Sequence, residues 1–168
     1  RQRQMCIRDI FGGYRISKDE LFCNLVDADG YYFTHFLQDK AKTAYGGAEL
    51  KYGYKDWFDA SLKGTFYSWK TDNENEELYL MTKPKFELNF YAEAKVFEGL
   101  KVYLGYEYVQ RKEYVIEEGN SSRDFGLGNI SNLSVGASYT FLKDLSVFGR
   151  VNNLLNKQYY YAVSYTHL

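Results

Sequence analysis

One proline, Pro84, stands among 168 residues, with only two cysteines and two histidines. Two cysteines, Cys6 and Cys23, exclude a disulfide framework, and no Cys/His spacing makes a metal-ligand set. Cys23 reads as an inert strand residue. His35 sits in an aromatic stretch with no catalytic partner in view, so it reads as a structural residue and not as a base. The acidic stretch "DNENEE" (Asp72–Glu77) lacks the spacing of a calcium loop. "GLGN" (Gly126–Asn129) is followed by no helix, which excludes a phosphate cradle. No catalytic, cofactor-binding or metal-ligating residue is assigned, no cofactor is called for, and the chain is not expected to be an enzyme. An excess of one charge sign is lacking too. The 21 basic and 22 acidic residues give a net charge of −1, which offers nothing for nucleic acid. Mean hydropathy is −0.50, and no apolar run approaches the roughly twenty residues of a transmembrane helix. A membrane strand escapes that test, because it alternates and averages to the hydropathy of an ordinary chain.

What is present in quantity is 18 Tyr, 12 Phe and 14 Gly, which suits strands and turns. In "KFELNFYAEAKVF" (Lys85–Phe97), Phe86, Leu88, Phe90, Ala92, Ala94 and Val96 fall on one face, and Glu87, Asn89, Tyr91, Glu93 and Lys95 on the other. This period of two predicts a strand. It is long for a soluble protein and about right for a tilted strand that crosses a bilayer. The same alternation predicts strands over Phe58–Trp69, Leu100–Tyr108, Leu133–Phe141 and Leu145–Val151, with a weaker one over Ala44–Tyr54. "LFCNLVDADGYYFTHFLQD" (Leu21–Asp39) predicts two more around the turn "DADG" (Asp27–Gly30). Pro84 falls at a strand start, where a missing N–H is tolerated.

The connections alternate in length. "YKDWF" (Tyr54–Phe58), "FEGLK" (Phe97–Lys101) and "FLKDL" (Phe141–Leu145) are tight turns. "TDNENEE" (Thr71–Glu77) and "EEGNSSRDFGLGN" (Glu117–Asn129) are long polar loops. Short periplasmic turns, long outer loops and aromatic residues at strand ends are the layout of an outer-membrane barrel. The expected fold is all-β: an antiparallel up-and-down meander forming a partial transmembrane β-barrel of about eight strands. Phe86, Leu88, Phe90, Val96, Val102 and Leu104 are expected to face lipid. Glu87, Glu93, Lys95, Lys101 and Glu107 are expected to face the lumen. The competing fold is a soluble carbohydrate-binding β-sandwich that uses exposed Tyr and Trp for stacking.

Both ends of the chain carry a different signature. "VSYTHL" (Val163–Leu168) is what one strand of a transposon-end sequencing adaptor encodes, and "MCIRD" (Met5–Asp9) is what the opposite strand encodes. Ile10 departs from that reading. Residues 1–9 and 163–168 are therefore set apart from the fold, which leaves 10–162 as a fragment of a barrel domain, and His35 as its one histidine.

"LSVFGRVNNLLNKQYYY" (Leu145–Tyr161) carries the most specific signal: an apolar-alternating strand, then Asn-Leu, a small polar spacer and Tyr, here Asn153, Leu154, Asn156, Lys157 and Tyr159. It resembles the C-terminal region of TonB-dependent outer-membrane receptors, especially those of Bacteroidetes-type bacteria. "TKPKFELNF" (Thr82–Phe90) and "FEGLKVYLGYEY" (Phe97–Tyr108) are similar to barrel strands of that group. The resemblance implies a large barrel of about twenty-two strands, with an N-terminal plug inside it. It further implies import of a scarce ligand (siderophore, vitamin, glycan or peptide) driven by an inner-membrane TonB complex acting through the plug. The implied location is the cell outer membrane. The implied partners are its lipid, the N-terminal barrel and plug of the same chain, and the TonB complex. A passive porin-like or plugless barrel is the alternative within the membrane class.

Overall fold

A computed structural model describes residues 6–25, 33–71, 79–80, 83–111, 114–118, 121–125, 128–142 and 145–158. Its strands are β1 (Cys6–Leu25), β2 (Phe33–Tyr54), β3 (Phe58–Thr71), β4 (Pro84–Phe97), β5 (Leu100–Arg111), β6 (Tyr114–Glu118), β7 (Ser121–Phe125), β8 (Ile130–Leu142) and β9 (Leu145–Val151). Seven of them make one antiparallel sheet in the order β1-β2-β3-β4-β5-β8-β9. The chain is thus all-β, an up-and-down meander that is not closed and has β1 and β9 at its edges. β6 and β7 form a separate ribbon between β5 and β8 in chain order.

The alternation in the sequence becomes two faces because register keeps parity across the whole sheet. One row of directly opposed residues runs Leu50, Leu62, Phe90, Tyr106, Leu133 from β2 to β8. The next runs Tyr52, Ala60, Ala92, Leu104, Val135 and ends on Val151 of β9. A slip of one residue in any pair would turn a whole strand over, so the matched apolar rows fix the register. Along β3 the apolar band is bounded by Phe58 at the tight-turn end and Phe66 near the long-loop end. The eight steps from Phe58 to Phe66, at about 3.4 Å each, span about 27 Å of strand.

Hydrogen bonds hold the tight-turn end. Gly99 has φ of +85°, and its carbonyl accepts the N–H of Thr140 at 2.8 Å. A Cβ at Gly99 would run into the Thr140 carbonyl. In the β2–β3 turn, Lys55 takes a left-handed φ of 50°, and the Trp57 carbonyl accepts from the N–H of Lys95 at 2.6 Å.

The expected strands other than Ala44–Tyr54, which is part of the longer β2, are found with edges extended by up to three residues, and Pro84 is the first residue of β4. Two expectations are corrected. Leu21–Leu25 and Phe33–Asp39 are not a separate hairpin; they are the tips of β1 and β2, which run for 20 and 22 residues. Asp27–Gly30 lies outside the described residues. The stretch Glu117–Asn129 is not only loop, because Glu117–Glu118 ends β6 and Ser121–Phe125 is β7. Their pairs are Tyr114–Phe125 through Glu118–Ser121. β1 begins at Cys6 and pairs Ile7 with Leu50, with a register shift before Asp9. Residues 163–168 lie outside the described residues.

The concave polar face as candidate functional site

The two faces of the sheet differ in chemistry. On the apolar face, Ile10, Tyr14, Phe66, Val147 and Val151 are each more than half exposed. Among the described residues no second layer of strand or helix packs against it. Phe86, Leu88, Phe90, Val102 and Leu104 share this face by register, and Val96 falls at the register shift between Lys95 and Phe97. Aromatic rings cluster at both of its margins. Toward the tight turns, Tyr52, Phe58, Trp57 and Tyr54 form a chain of ring contacts with centroids 5.8–6.1 Å apart, and Phe97, Tyr139 and Phe141 form another at 6.1–6.2 Å. Toward the long loops, Phe66 meets Phe86 at 4.5 Å and Phe86 meets Tyr108 at 6.4 Å. Between the margins, Tyr106 satisfies its hydroxyl on Ser131 Oγ at 3.0 Å.

The opposite face is concave and polar. Register lines up Glu49, Lys63, Asn89, Glu107 and Asn132 across β2, β3, β4, β5 and β8. With Ser134 and Arg150 they line a trough of about 340 Å³. Its charges are held locally. Lys51 pairs with Glu49 at 3.0 Å and Lys101 with Glu93 at 3.1 Å. Arg150 donates to Ser134 Oγ at 3.3 Å, and Ser134 in turn donates to the Gly105 carbonyl at 3.3 Å. Glu87, Glu93, Lys95, Lys101 and Glu107 all fall on this face by register, as the alternation predicts.

Toward the long loops the same face turns aromatic. Tyr45 and Tyr67 are directly opposed, with rings 6.2 Å apart. Tyr67 stacks on Trp69 at 6.2 Å, and Trp69 meets Tyr79 edge-on at 6.4 Å. The Lys83 ammonium lies 5.6 Å from the Trp69 ring and 4.5 Å from that of Tyr79. Two hydrogen bonds fix the ring directions: Tyr67 Oη donates to Glu87 at 2.8 Å, and Trp69 Nε1 donates to the Pro84 carbonyl at 2.8 Å. Among the described residues, fully enclosed apolar side chains lie here, with Tyr79 and Ala41 at 1 % exposure and Ile130 at 2 %. The alternation did not single out Tyr45, Tyr67, Trp69 or Tyr79. The signal was there for three of them, since Tyr45, Tyr67 and Trp69 stand at the parity of the polar residues.

Glycines shape this surface by what they leave out. A Cβ at Gly13 would strike the Tyr45 ring, one at Gly47 the Phe11 ring, and one at Gly136 the Tyr103 ring. Each ring therefore lies against bare backbone on the neighbouring strand.

The motif that carried the sequence resemblance has a local structural task. Asn153 and Asn156 take φ of 54° and 48°, a region that asparagine tolerates better than most residues. The Asn153 amide brackets Lys157, donating to its carbonyl at 3.0 Å and accepting from its N–H at 3.2 Å. Backbone bonds tie the turn to β8: Asn153 N–H donates to Asn132 Oδ1 at 3.0 Å and Leu154 N–H to the Leu133 carbonyl at 2.9 Å. Tyr159 lies outside the described residues.

Catalytic and metal chemistry has no constellation here. Among the described residues no three His, Cys, Asp or Glu side chains converge on a metal position. The register sets Cys23 of β1 opposite His35 of β2, two residues read separately from the sequence. No helix is long and apolar enough to cross a membrane, which says nothing of strands. Comparison with protein-family models, with curated proteins and with solved structures finds no match.

Proposed function

We propose that this sheet is part of the wall of an outer-membrane β-barrel, and that the protein is a TonB-dependent receptor that imports a scarce ligand. The observation that supports the first part is the uncovered apolar face. A soluble sandwich would press such a face against a second sheet. Here it stands bare over rows that run through five and six strands, with aromatic rings at both margins and charge within the band confined to the opposite side. That is the arrangement lipid requires: an apolar band roughly 25 Å tall between aromatic girdles, with every backbone group paired along the ladder. The second part rests on the Asn153–Tyr159 motif and its likeness to that receptor family. In this reading the lipid bears on Phe90 and its row. The plug of the same polypeptide and the TonB complex acting through it are the further partners, and the protein transports rather than catalyses.

Bilayer insertion is tested with the two tryptophans. In vesicles of brominated phosphatidylcholine, Trp57 (47 % exposed) should be quenched in a Trp69→Phe variant. Trp69 should stay bright in a Trp57→Phe variant. Recovery of the chain from water without detergent, with neither tryptophan quenched, would defeat the membrane reading. Energy coupling is tested in cells carrying the receptor, where an uncoupler should stop uptake. Uptake that persists would favour the porin-like alternative.

A further inference from the structure

The bare face ends differently at its two margins. Toward the tight turns its last outward positions on β2 and β3 are rings, Tyr54 opposite Phe58. The turn beyond them holds one charge of each sign, Lys55 and Asp56. Toward the long loops β1, β2 and β3 continue past the Phe66 margin. At the parity of Phe66 they carry Lys18 on β1, Lys40 and Lys42 on β2, and Lys70 on β3. Lys18 stands directly opposite Lys40, and Lys42 directly opposite Lys70. Lys18 and Lys70 are exposed, and Lys40 and Lys42 are half-buried. Among the described residues Glu20, opposite Gln38, is the one acid at this parity on the three strand tips. Like charges set opposite each other across a ladder work against pairing. Two such pairs, joined through neighbouring positions on β2, favour an anion that lies among them. The height of the patch is set by β3. Lys70 is four residues beyond Phe66, which is about 14 Å along the strand and about 10 Å along the membrane normal at a tilt of about 40°. That is past the acyl chains and level with the headgroups.

The occupant of this patch must meet two surfaces at once. Beside and below the lysines, Tyr14, Ile16 and Phe66 are 61 %, 51 % and 66 % exposed. A nucleic acid, an acidic protein segment or a free phosphate would cover the ammonium groups and leave those apolar side chains in water. A membrane lipid with a phosphate headgroup covers both. Its acyl chains lie on the apolar side chains, and its phosphate lies among the lysines, which bind phosphate as point charges. Lysine suits that height, because its stem follows an apolar surface while its ammonium reaches the polar layer. We propose that Lys18, Lys40, Lys42 and Lys70 bind the phosphate of an anionic lipid in the leaflet on the long-loop side. The inference rests on the barrel reading, since only there does this face meet lipid, and it names which lipid the wall holds and where.

The test uses the full chain in phosphatidylcholine vesicles. Ser68→Trp, in a Trp57→Phe/Trp69→Phe background, sets one fluorophore between Phe66 and Lys70, at an exposed position that faces only Ala44 on β2. A minor share of the lipid is brominated on its acyl chains, either as phosphatidic acid or as phosphatidylcholine. Quenching should show a preference for phosphatidic acid on the order of tenfold. Lys70→Gln should lower that preference about fivefold, the scale of one lysine at an anionic membrane surface. Lys42→Gln with Lys70→Gln should erase it. Lys95→Gln, which removes a lysine from the concave face, should leave it unchanged. Inorganic phosphate should compete no better than chloride at equal ionic strength. Equal quenching by the two lipids, a preference that survives the double lysine change, or one that inorganic phosphate specifically removes would overturn the proposal. Thermal unfolding of the parent chain needs no reporter. Phosphatidic acid in the vesicles should raise its midpoint, and the rise should vanish in the Lys42→Gln/Lys70→Gln variant. No rise in the parent, or an equal rise in that variant, would overturn the proposal as well. Quenching of Trp57 by brominated phosphatidylcholine in the Trp69→Phe variant separates the two failures. A chain that inserts but shows no preference for the phosphate headgroup overturns only this site. A chain that stays in water overturns the barrel reading and this inference with it.

Discussion

Trp57 and Trp69 are the same residue twelve positions apart on one hairpin arm, and their surroundings have little in common. Trp57 sits in the tight turn, 47 % exposed, its ring edge-on to Tyr54 and tilted against Phe58. Its anchoring bond runs through the backbone, where its carbonyl accepts the N–H of Lys95 at 2.6 Å. Trp69 lies on the concave face, stacked on Tyr67 and met by Tyr79, with its N–H donated to the Pro84 carbonyl. One ring sits at the margin of a bare apolar band, where an amphipathic ring suits a membrane interface. The other is fixed in an aromatic file above a charged trough. The difference teaches that this sheet is organised by face and by height together, apolar on one side and polar on the other.

Adjacent residues on β4 give the hardest test of that contrast. Phe90 is on the apolar face, in the row with Leu62 and Tyr106, and Asn89 is on the concave face, in the row with Lys63 and Glu107. Phe90→Arg should lower stability in lipid vesicles by about 2–4 kcal/mol if the row lies near the midplane. Asn89→Arg adds the same charge one residue away and should cost less than about 1 kcal/mol, because the polar side is wet. Urea titration of both variants in the same vesicles compares them directly. Equal losses would mean that the two faces do not meet different solvents.

The faces were legible in the sequence because period-two alternation survives whatever the sheet packs against. Lys85–Phe97 became β4 with one residue, Pro84, added at its start. The long strands were not legible. Lys40 and Lys42 interrupt the apolar file of β2 and read as a break between two strands. In the structure the backbone runs straight through them, with Lys42 opposite Ile16 and Lys70, beyond the Phe66 margin. A strand that outlasts the apolar band turns polar on both faces, and sequence pattern alone cannot tell that from a loop. β6 and β7 escaped for a related reason: "YVIEE" and "SSRDF" carry charge without alternation. The trough was half legible. Parity put Glu87, Glu93, Lys95, Lys101 and Glu107 on one side, but which of them become neighbours depends on register, and register is a property of pairs of strands. Tyr79 could not have been found, because it arrives from the loop between β3 and β4.

The two ends of the sheet differ as well, and two glycines measure the difference. Gly99 in the β4–β5 turn and Gly128 before β8 both have positive φ, +85° and +63°. A Cβ at Gly99 would strike the Thr140 carbonyl, whereas at Gly128 nothing lies within 4 Å. Gly128→Ala should therefore cost only the left-handed backbone, about 1–2 kcal/mol. Gly99→Ala should cost that and the collision, and should come out larger by about 1 kcal/mol or more. Thermal unfolding of the two variants ranks them. A reversed order would show the tight-turn end to be the more adaptable of the two.

The smallest effect belongs to removing charge from the concave face. Lys51 pairs with Glu49 at 3.0 Å, with 42 % and 23 % of the two side chains exposed. A pair that open is screened by water and is worth about 0–1 kcal/mol at most. Lys51→Ala should lower stability by no more than that, and the difference from the parent should shrink at about 1 M salt, where the screening length falls to roughly 3 Å. Glu49 does not become a stranded buried charge, because Lys63 lies directly opposite it on β3. A loss several times larger, and indifferent to salt, would mean that the concave side is dry. The trough would then be a packed interior and not a lumen, and the contrast between Asn89 and Phe90 would lose its physical basis.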